Sequence, residues 1–245
     1  FFETMILRAF APGYEPLDPH YLFLFNSYYD AVGARHPRPA RGLLTRPTAD
    51  QVKAYRAHVD DAMRALINDA DDATWEKVAP MIALGLHHEQ QHQELILMDI
   101  LHAFSHNSVA PAYQTYRAAP ARKTPELRWF DHDGGLVEIG HEGSEFAFDN
   151  EGPRHSVHLA PFRLASRLVT NGEWKEFMAD NGYGRPELWL SDGWAAVGAE
   201  GWDAPLYWQT VDDEWCAMSL SGLQQVNDQA PVCHVSLYEA DAYAR

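Results

Sequence analysis

Apolar residues recur at helical spacing through the first half of the chain. Residues 1–10 form one amphipathic segment, and residues 21–32 form a second that is rich in aromatic side chains. Thr48 or Asp50 can cap a third helix that runs to about Asp69, because a side-chain oxygen at this position accepts a free N–H of the first turn. The pattern therefore predicts helices, not strands, in this region.

The fourth predicted helix runs from Thr74 to about Phe104. Apolar residues flank its polar centre on both sides, so we expect this helix to be largely buried. The proline-rich stretch 36–42 should be a loop without a regular element. Four helices with one apolar face each predict an up-and-down four-helix bundle.

The pattern changes after Pro125, where Gly and Trp become frequent and apolar and polar residues alternate in short runs. These runs predict strands at 136–140 and 155–159. Thr170 or Asn171 can cap a short helix further on. Strands mixed with short helices predict a domain of α+β type.

A linker rich in Ala, Pro, Arg and Lys, residues 111–125, separates the two regions. We therefore predict a multidomain chain of the α and α+β classes, with a helical domain over 1–125 and an α+β domain over 126–245. Both ends have a helical composition without a cap or a terminator, so we expect the chain to be cut at both ends.

Composition and charge exclude several classes of function. The chain has 19 Lys and Arg residues against 35 Asp and Glu residues, a formal net charge of -16. Such a surface repels phosphates and anionic lipids, so neither nucleic acid nor a membrane is expected as a partner. Two cysteines without a CxxC pattern, no signal peptide and no run of about 18 apolar residues predict a cytoplasmic protein.

The candidate chemistry lies in residues 87–94, HHEQQHQE, inside the fourth predicted helix. His88 and His92 are four residues apart and therefore lie on one helix face, where they can present two imidazoles to one metal ion. Gln91 lies on the same side. Imidazole suits iron, zinc, copper and nickel, so the pair alone does not select the metal.

Three interpretations of this segment compete. The first is a solvated helix face with chance histidines, which the apolar flanks argue against. The second is a zinc hydrolase, since residues 88–92 spell H-E-x-x-H with Glu89 as the general base, although a pattern of five residues is weak by itself. The third is an iron site.

The iron interpretation comes from a resemblance to a known family. The spacing H-x-x-x-H-x-E, formed by His88, His92 and Glu94, resembles the metal motif of the sulfoxide synthases of ergothioneine biosynthesis. The resemblance covers essentially the whole chain. The other segments that carry it are 1–4, 41–48, 55–60, 148–155, 168–174 and 182–194.

The resemblance implies a fold and a metal. The fold is a DinB-like four-helix bundle followed by a formylglycine-generating-enzyme-like domain of C-type lectin fold, incomplete at its C-terminus. The metal is Fe(II), bound by three histidines, of which two correspond to His88 and His92. The third histidine is expected upstream of Phe1, outside this chain. Gln91 corresponds to a glutamine that helps to hold hercynine, a trimethylammonium betaine.

Two further groups of residues have roles implied by the resemblance. One phenol of the pair Tyr28 and Tyr29 delivers a proton in the reaction, unless both are core tyrosines of an aromatic helix. Arg38 and Arg41, or Arg41 and Arg46, bind the carboxylate of the thiol substrate, unless they only offset an acidic surface.

The implied reaction is formation of a C–S bond between hercynine and a thiol, with O2 as oxidant and a sulfoxide as product. The thiol is cysteine or γ-glutamylcysteine, and the tyrosine pair favours cysteine. The alternatives are an ovothiol-type 5-histidylcysteine sulfoxide synthase, the zinc hydrolase, and a DinB-like thiol- or metal-binding module without catalysis.

Overall fold

The computed structural model describes residues 1–26, 33, 36–117 and 123–245, except the side chains of Arg38 and Arg41. The described residues form two compact units, Phe1–Glu94 and Leu95–Arg245. The predicted domain ranges, 1–125 and 126–245, stay a prediction. No helix among the described residues combines the length and the apolar character that a membrane crossing requires.

The first unit consists of helices. Their bounds are a π-helical segment Phe2–Leu7, α1 Arg8–Phe10, α2 Tyr21–Leu24, a 3-10 helix Arg38–Leu43, α3 Ala49–Asp69, and α4 Asp72–Ser105, which continues into the second unit. The 3-10 helix contradicts the prediction that this proline-rich stretch has no regular element. Pro39 is tolerated there because the first residues of a helix need no intrahelical N–H donor.

Side chains at the helix starts fix α3 and α4. The Thr48 cap of α3 is confirmed: Gln51 donates its N–H to Thr48 Oγ1 at 3.3 Å, and its Oε1 accepts the Thr48 N–H at 2.8 Å. α4 begins at Asp72, two residues before the predicted Thr74, because Asp71 Oδ1 accepts the Thr74 N–H at 2.8 Å and caps the helix.

The second predicted helix is shorter in the structure than its pattern indicated. α2 ends at Leu24, and residues 27–32 lie outside the described part of the chain. The core of the first unit joins the N-terminal segment to α3 and α4. Its buried members are Ile6, Leu7, Val59, Met63, Leu66 and Val78.

The prediction that α4 is largely buried is wrong for its central part. Residues 90–99 are all exposed, including Ile96 at 55% and Met98 at 57%. Apolar sequence predicted burial there, but no packing partner covers this stretch among the described residues.

The second unit pairs short antiparallel strands. The bounds are β1 Trp129–His132, β2 Gly135–Ile139, β3 His155–Leu159, β4 Phe162–Ala165, β5 Trp208–Val211, β6 Glu214–Ser219 and β7 Gly222–Gln225. β1 pairs with β4, β2 pairs with β3, and β5, β6 and β7 form a three-stranded sheet in that order. The two strands predicted from alternation are thus confirmed as β2 and β3.

Helices α5 Asn171–Ala179, α6 Ser191–Glu200 and α7 Leu237–Ala244 complete the second unit. Tyr183, Trp189, Val197 and Ala242 form a buried cluster in this region. A helical region followed by a region of strands and short helices is the predicted order of fold classes.

Thr170 caps α5, as predicted, and an ion pair reinforces the cap. Glu173 Oε2 accepts the Thr170 N–H at 2.9 Å, while the Arg167 guanidinium donates to both Glu173 oxygens at 2.8 and 2.7 Å. Chiefly through the bonds from Arg167, the pKa of Glu173 falls to about 2. The ionised carboxylate is therefore the form that stabilises the start of α5.

Replacing Glu173 with Gln should destabilise the protein by about 1 kcal/mol at pH 7, since a charge-assisted bidentate pair is lost. The folded-state pKa of about 2 lies below the ordinary value of 4.5, so this stability is present above pH 4.5 and is lost as the pH falls towards 2. Urea unfolding measures the free energy of unfolding, and the difference in this quantity between wild type and variant should be smaller at pH 3 than at pH 7. Glu176→Gln, an exposed position of the same helix, is the control, and a difference that does not change with pH would contradict the assignment.

Candidate functional site

The two histidines predicted as metal ligands face each other on α4. Their Nε2 atoms are 3.2 Å apart, and the ring centroids are separated by 4.5 Å. Burial lowers the pKa of His88 from its ordinary value, and the neighbouring His92 lowers it further. Neutral imidazole, the form favoured by a lowered pKa, is the form that binds metals.

The separation of the two nitrogens fits a shared metal ion. Ligand nitrogens lie about 2.1 Å from a divalent metal, so adjacent octahedral positions place two of them about 3.0 Å apart. The observed 3.2 Å is close to that spacing, and it is also the length of a hydrogen bond between one protonated and one free ring nitrogen. Within the described ranges, however, no group of three His, Cys, Asp or Glu side chains is placed to hold a metal ion. The described residues therefore offer two ligands, not a complete set.

A cavity of about 520 Å³ in the first unit contains both histidines in its wall. Its aromatic members are Phe1, Tyr21, Phe25 and Tyr55. The Phe1 ring lies 5.2 Å from the His88 ring, measured between centroids. The wall therefore combines aromatic and apolar side chains with a few polar groups, among them the histidine pair and two carboxylates, which is a typical composition for a small-molecule site.

A buried carboxylate at this cavity was missed by the sequence reasoning. Glu3 is 5% exposed, and it accepts hydrogen bonds from Tyr14 at 2.7 Å and from Tyr55 at 2.5 Å. Burial, followed by the bond to Glu3, raises the pKa of Tyr55, so its phenol stays protonated and acts as donor. The one signal in the sequence was a single acidic residue inside the apolar run at 1–7.

Glu89, the would-be base of the zinc hydrolase, also lines this cavity. Its carboxylate lies 3.8 Å from the Arg56 guanidinium, which forms a closer pair with Asp60 at 2.9 Å. The structure thus places all three named residues of the H-E-x-x-H pattern at one cavity, and this alternative stays open.

Two further predicted site residues, Gln91 and Arg46, do not line the cavity that contains the histidine pair. Gln91 is exposed and is not among the residues that line the cavity. Arg46 lines a neighbouring cavity of about 310 Å³, which shares Phe25, Asn26 and Val52 with the first.

Four predicted residues cannot be located at the site. Tyr28 and Tyr29 lie outside the described residues. Arg38 and Arg41 belong to the 3-10 helix, but their side chains lie outside the described part of the structure. The roles of all the predicted site residues stay predictions.

Two family models match the chain. The DinB superfamily matches residues 18–96, and the sulfatase-modifying factor enzyme 1-like domain matches residues 118–245, slightly more than half of the chain. The first match contains the histidine pair, and the second covers β1 to α7. Both domains and their order agree with the fold that the resemblance implied.

The chain is similar to two hercynine oxygenases and to an ergothioneine biosynthesis protein. A hercynine oxygenase of Mycobacterium tuberculosis is 30% identical over an alignment of 249 positions, gaps included, that covers 99% of this chain and 54% of that protein. A hercynine oxygenase of Mycolicibacterium smegmatis is 31% identical over 88% of this chain and 48% of its own length. Ergothioneine biosynthesis protein 1 of Neurospora crassa is 24% identical over 58% of this chain and 18% of its own length.

The chain spans about half the length of the two mycobacterial relatives. Its family is shown by the domain match, which extends without interruption from residue 118 to residue 245. The chain belongs to the sulfatase-modifying factor enzyme 1-like family, and in it that domain follows a DinB superfamily domain.

Proposed function

We propose that the full-length protein is an Fe(II)- and O2-dependent sulfoxide synthase that joins hercynine to cysteine or γ-glutamylcysteine. The observation that carries this proposal is the His88–His92 pair, 3.2 Å apart in the wall of a cavity, in a chain similar to hercynine oxygenases. Thiol, hercynine and O2 give the sulfoxide and one water: the S–H and imidazole C–H bonds break, a C–S and an S–O bond form, and O2 accepts four electrons.

Iron, when bound, would supply the electrons that activate O2 and a site for the thiol sulfur. His88 and His92 would hold it as neutral imidazoles. The third histidine is proposed upstream of Phe1. The Phe1 ring lies against His88, so a residue shortly before Phe1 would lie near the pair. Three protein ligands would leave further positions on the metal open for substrates.

The aromatic wall has two functions in this proposal. The rings of Tyr21 and Tyr55 would limit the access of water to the reacting atoms, and the faces of these rings and of Phe25 would suit a trimethylammonium group. Tyr55 stacks on Phe25 at 5.7 Å with an angle of 12° between the rings, and Glu3 fixes its hydroxyl. Hercynine would therefore meet a wall whose orientation is already set. Gln91 is proposed to assist in holding it.

Tyr28 and Tyr29 are proposed as the source of the proton. They follow Asn26 at a distance of two and three residues in the chain, and Asn26 lines the cavity. A phenol is neutral at pH 7 and can donate a proton to developing negative charge.

Arginines would select the thiol by its carboxylate. Arg46 lines the cavity beside the one that contains the histidine pair, which we call the histidine cavity. The backbone of Arg38 and Arg41 lies in the 3-10 helix that precedes Arg46 in the chain. A guanidinium binds a carboxylate through two parallel hydrogen bonds, which orients the thiol as well as holding it.

The proposal is tested by incubating the full-length protein with Fe(II), hercynine and O2, together with cysteine or γ-glutamylcysteine, and searching for the sulfoxide by mass. Product with one thiol supports the proposal and identifies that thiol. Iron-loaded protein without product from either thiol would overturn it. Product from histidine and cysteine would then indicate the ovothiol-type reaction. Bound zinc together with peptide cleavage would indicate the hydrolase. Absence of any turnover would indicate a binding module.

His88→Ala and His92→Ala should each lower the bound iron to a small fraction of the wild-type content. Activity should fall by at least about 100-fold, since even changes behind the direct metal ligands cost about 10–100-fold. Iron is measured by mass spectrometry of the purified protein after anaerobic loading. His87→Ala, at a neighbouring position that does not line the cavity, is the matched control. Full iron content in both variants would contradict the assignment of His88 and His92 as metal ligands.

Tyr28→Phe or Tyr29→Phe, whichever removes the proton donor, should lower the rate of sulfoxide formation by about 10²–10⁴-fold with the iron content unchanged. Single-turnover kinetics with mass detection measures that rate. Tyr113→Phe, which removes an exposed phenol outside the cavity wall, is the control. If both variants of the pair keep the wild-type rate, the tyrosines belong to the core and not to the reaction.

A further inference from the structure

The C-terminal end of α4 carries a second pair of histidines, which no step of the proposed reaction uses. His102 lies in the last turn of the helix, and His106 directly follows its last residue, Ser105. The two residues are four positions apart, so their side chains meet one turn apart on the same side. Their ring centroids are separated by 4.4 Å, almost the 4.5 Å found for His88 and His92. We call this set the His102–His106 pair.

A hydrogen bond to the backbone fixes the tautomer of His106. Its Nδ1 atom lies 2.9 Å from the carbonyl oxygen of His102, which can only accept, so Nδ1 is the donor. The Ser105 hydroxyl donates to the same carbonyl at 2.7 Å and lies 3.1 Å from Nδ1. The lone pair of the neutral ring is therefore on Nε2. Metal-binding histidines have the same arrangement, in which the other ring nitrogen donates to a carbonyl, a carboxylate or water.

A phenol occupies the corresponding place beside His102. The Tyr207 hydroxyl lies 3.3 Å from His102 Nδ1 and can accept its proton, which leaves the lone pair on Nε2. In the part of the chain that the structure describes, no hydrogen bond involves Nε2 of His102 or of His106. Both residues are exposed. Each imidazole thus has one nitrogen bonded to the protein and the other accessible to a ligand.

The backbone of Tyr207 has a conformation that is unfavourable for a bulky residue. Its φ of 74° lies in the left-handed region, which such residues seldom occupy outside functional sites. The Met218 N–H donates to the Tyr207 carbonyl at 2.9 Å, and the His234 ring packs 4.9 Å from the Tyr207 ring. The phenol is therefore fixed beside His102 before any ligand arrives, which lowers the entropy cost of binding.

The bond from His106 also caps α4, because the last carbonyls of a helix lack an intrahelical donor. Capping explains the position of the His106 ring, but it involves neither the His102 ring nor the phenol of Tyr207. It uses Nδ1 and leaves Nε2 to a metal ion, so capping and metal binding are compatible. The negative end of the helix dipole adds a favourable interaction with a cation at this position.

Two imidazoles favour a particular class of ion. Nitrogen ligands suit Zn²⁺, Ni²⁺ and Cu²⁺, and affinity for a given set of ligands rises from Fe²⁺ through Ni²⁺ to Cu²⁺. Mg²⁺ and Ca²⁺ prefer oxygen ligands. Within the described ranges no third His, Cys, Asp or Glu side chain converges with the pair. Water would therefore complete the coordination of a bound ion.

We propose that the His102–His106 pair is a second metal site, which binds a divalent late transition-metal ion of the Ni²⁺, Cu²⁺ and Zn²⁺ class through the two Nε2 atoms. Tyr207 would be a positioning residue that accepts the Nδ1 proton of His102. Because water would hold the remaining positions, the ion would exchange with the solvent. The site is separate from the histidine cavity, whose wall contains none of these three residues.

The test measures Ni²⁺ binding to the iron-free full-length protein by equilibrium dialysis at neutral pH, with the metal quantified by mass spectrometry. The His88→Ala variant is the background, because it disrupts the proposed iron site and leaves the His102–His106 pair intact. This protein should bind one equivalent of Ni²⁺. Cu²⁺ should bind more tightly than Ni²⁺, and a large excess of Mg²⁺ should displace neither ion.

Variants in this background locate the ion. His102→Ala and His106→Ala should each weaken Ni²⁺ binding by at least about tenfold, since even changes behind the direct ligands cost about 10–100-fold. Tyr207→Phe keeps the ring and removes the hydroxyl, so it should weaken Ni²⁺ binding by about tenfold with an unchanged midpoint of thermal unfolding. His158→Ala, at an exposed position of β3, is the matched control and should bind as the background does. Circular dichroism verifies the folding of each variant.

Three results would overturn the proposal. The first is no Ni²⁺ bound by the background protein at millimolar concentration. The second is equal affinity in His102→Ala, His106→Ala and His158→Ala, which would mean adventitious binding to single exposed histidines. The third is displacement of Ni²⁺ by Mg²⁺, which would assign the ion to surface carboxylates. Unchanged affinity in Tyr207→Phe would overturn the positioning role of the phenol. Since the test needs neither iron nor turnover, its failure is distinguishable from failure of the proposed function.

Discussion

Burial of the N-terminal segment is the constraint on which the histidine cavity depends. Ile6 and Leu7 are fully buried against Val59, Met63 and Leu66 of α3 and against Val78 of α4. Removing each of these side chains from water stabilises the fold by about 1.5–3 kcal/mol. This packing places Glu3 in the interior and Phe1 beside His88. A buried carboxylate without a cation is costly, and the phenols of Tyr14 and Tyr55 offset that cost.

Features that depend on neighbours in sequence were predicted well. The caps at Thr48 and Thr170 and the strands β2 and β3 follow from residues a few positions apart, so the local pattern contains the information. The facing of His88 and His92 is local for the same reason, since two residues four apart on a helix must share a face.

Features that depend on tertiary partners were not predicted. Glu3 and Tyr55 are 52 positions apart, and helical periodicity indicates which face is apolar but not which residue lies opposite. The exposure of Leu95 to Met98 has the same origin, because apolar composition indicates that a surface needs a partner and does not supply one. The pair of imidazoles does not select the metal either, since iron and zinc both accept two imidazoles.

Net charge does not explain the histidine cavity, although the formal net charge of the chain is -16. Most carboxylates at a surface are hydrated and screened, so they attract ligands weakly. The cavity differs from that surface because Tyr21 is buried in its wall and the Phe1 ring lies against His88, and electrostatic interactions strengthen as water is removed. Burial lowers the pKa of His88, which favours the neutral imidazole that binds metal ions. The chemistry of this cavity is therefore determined by the polar groups that its rings surround, and not by the net charge of the chain.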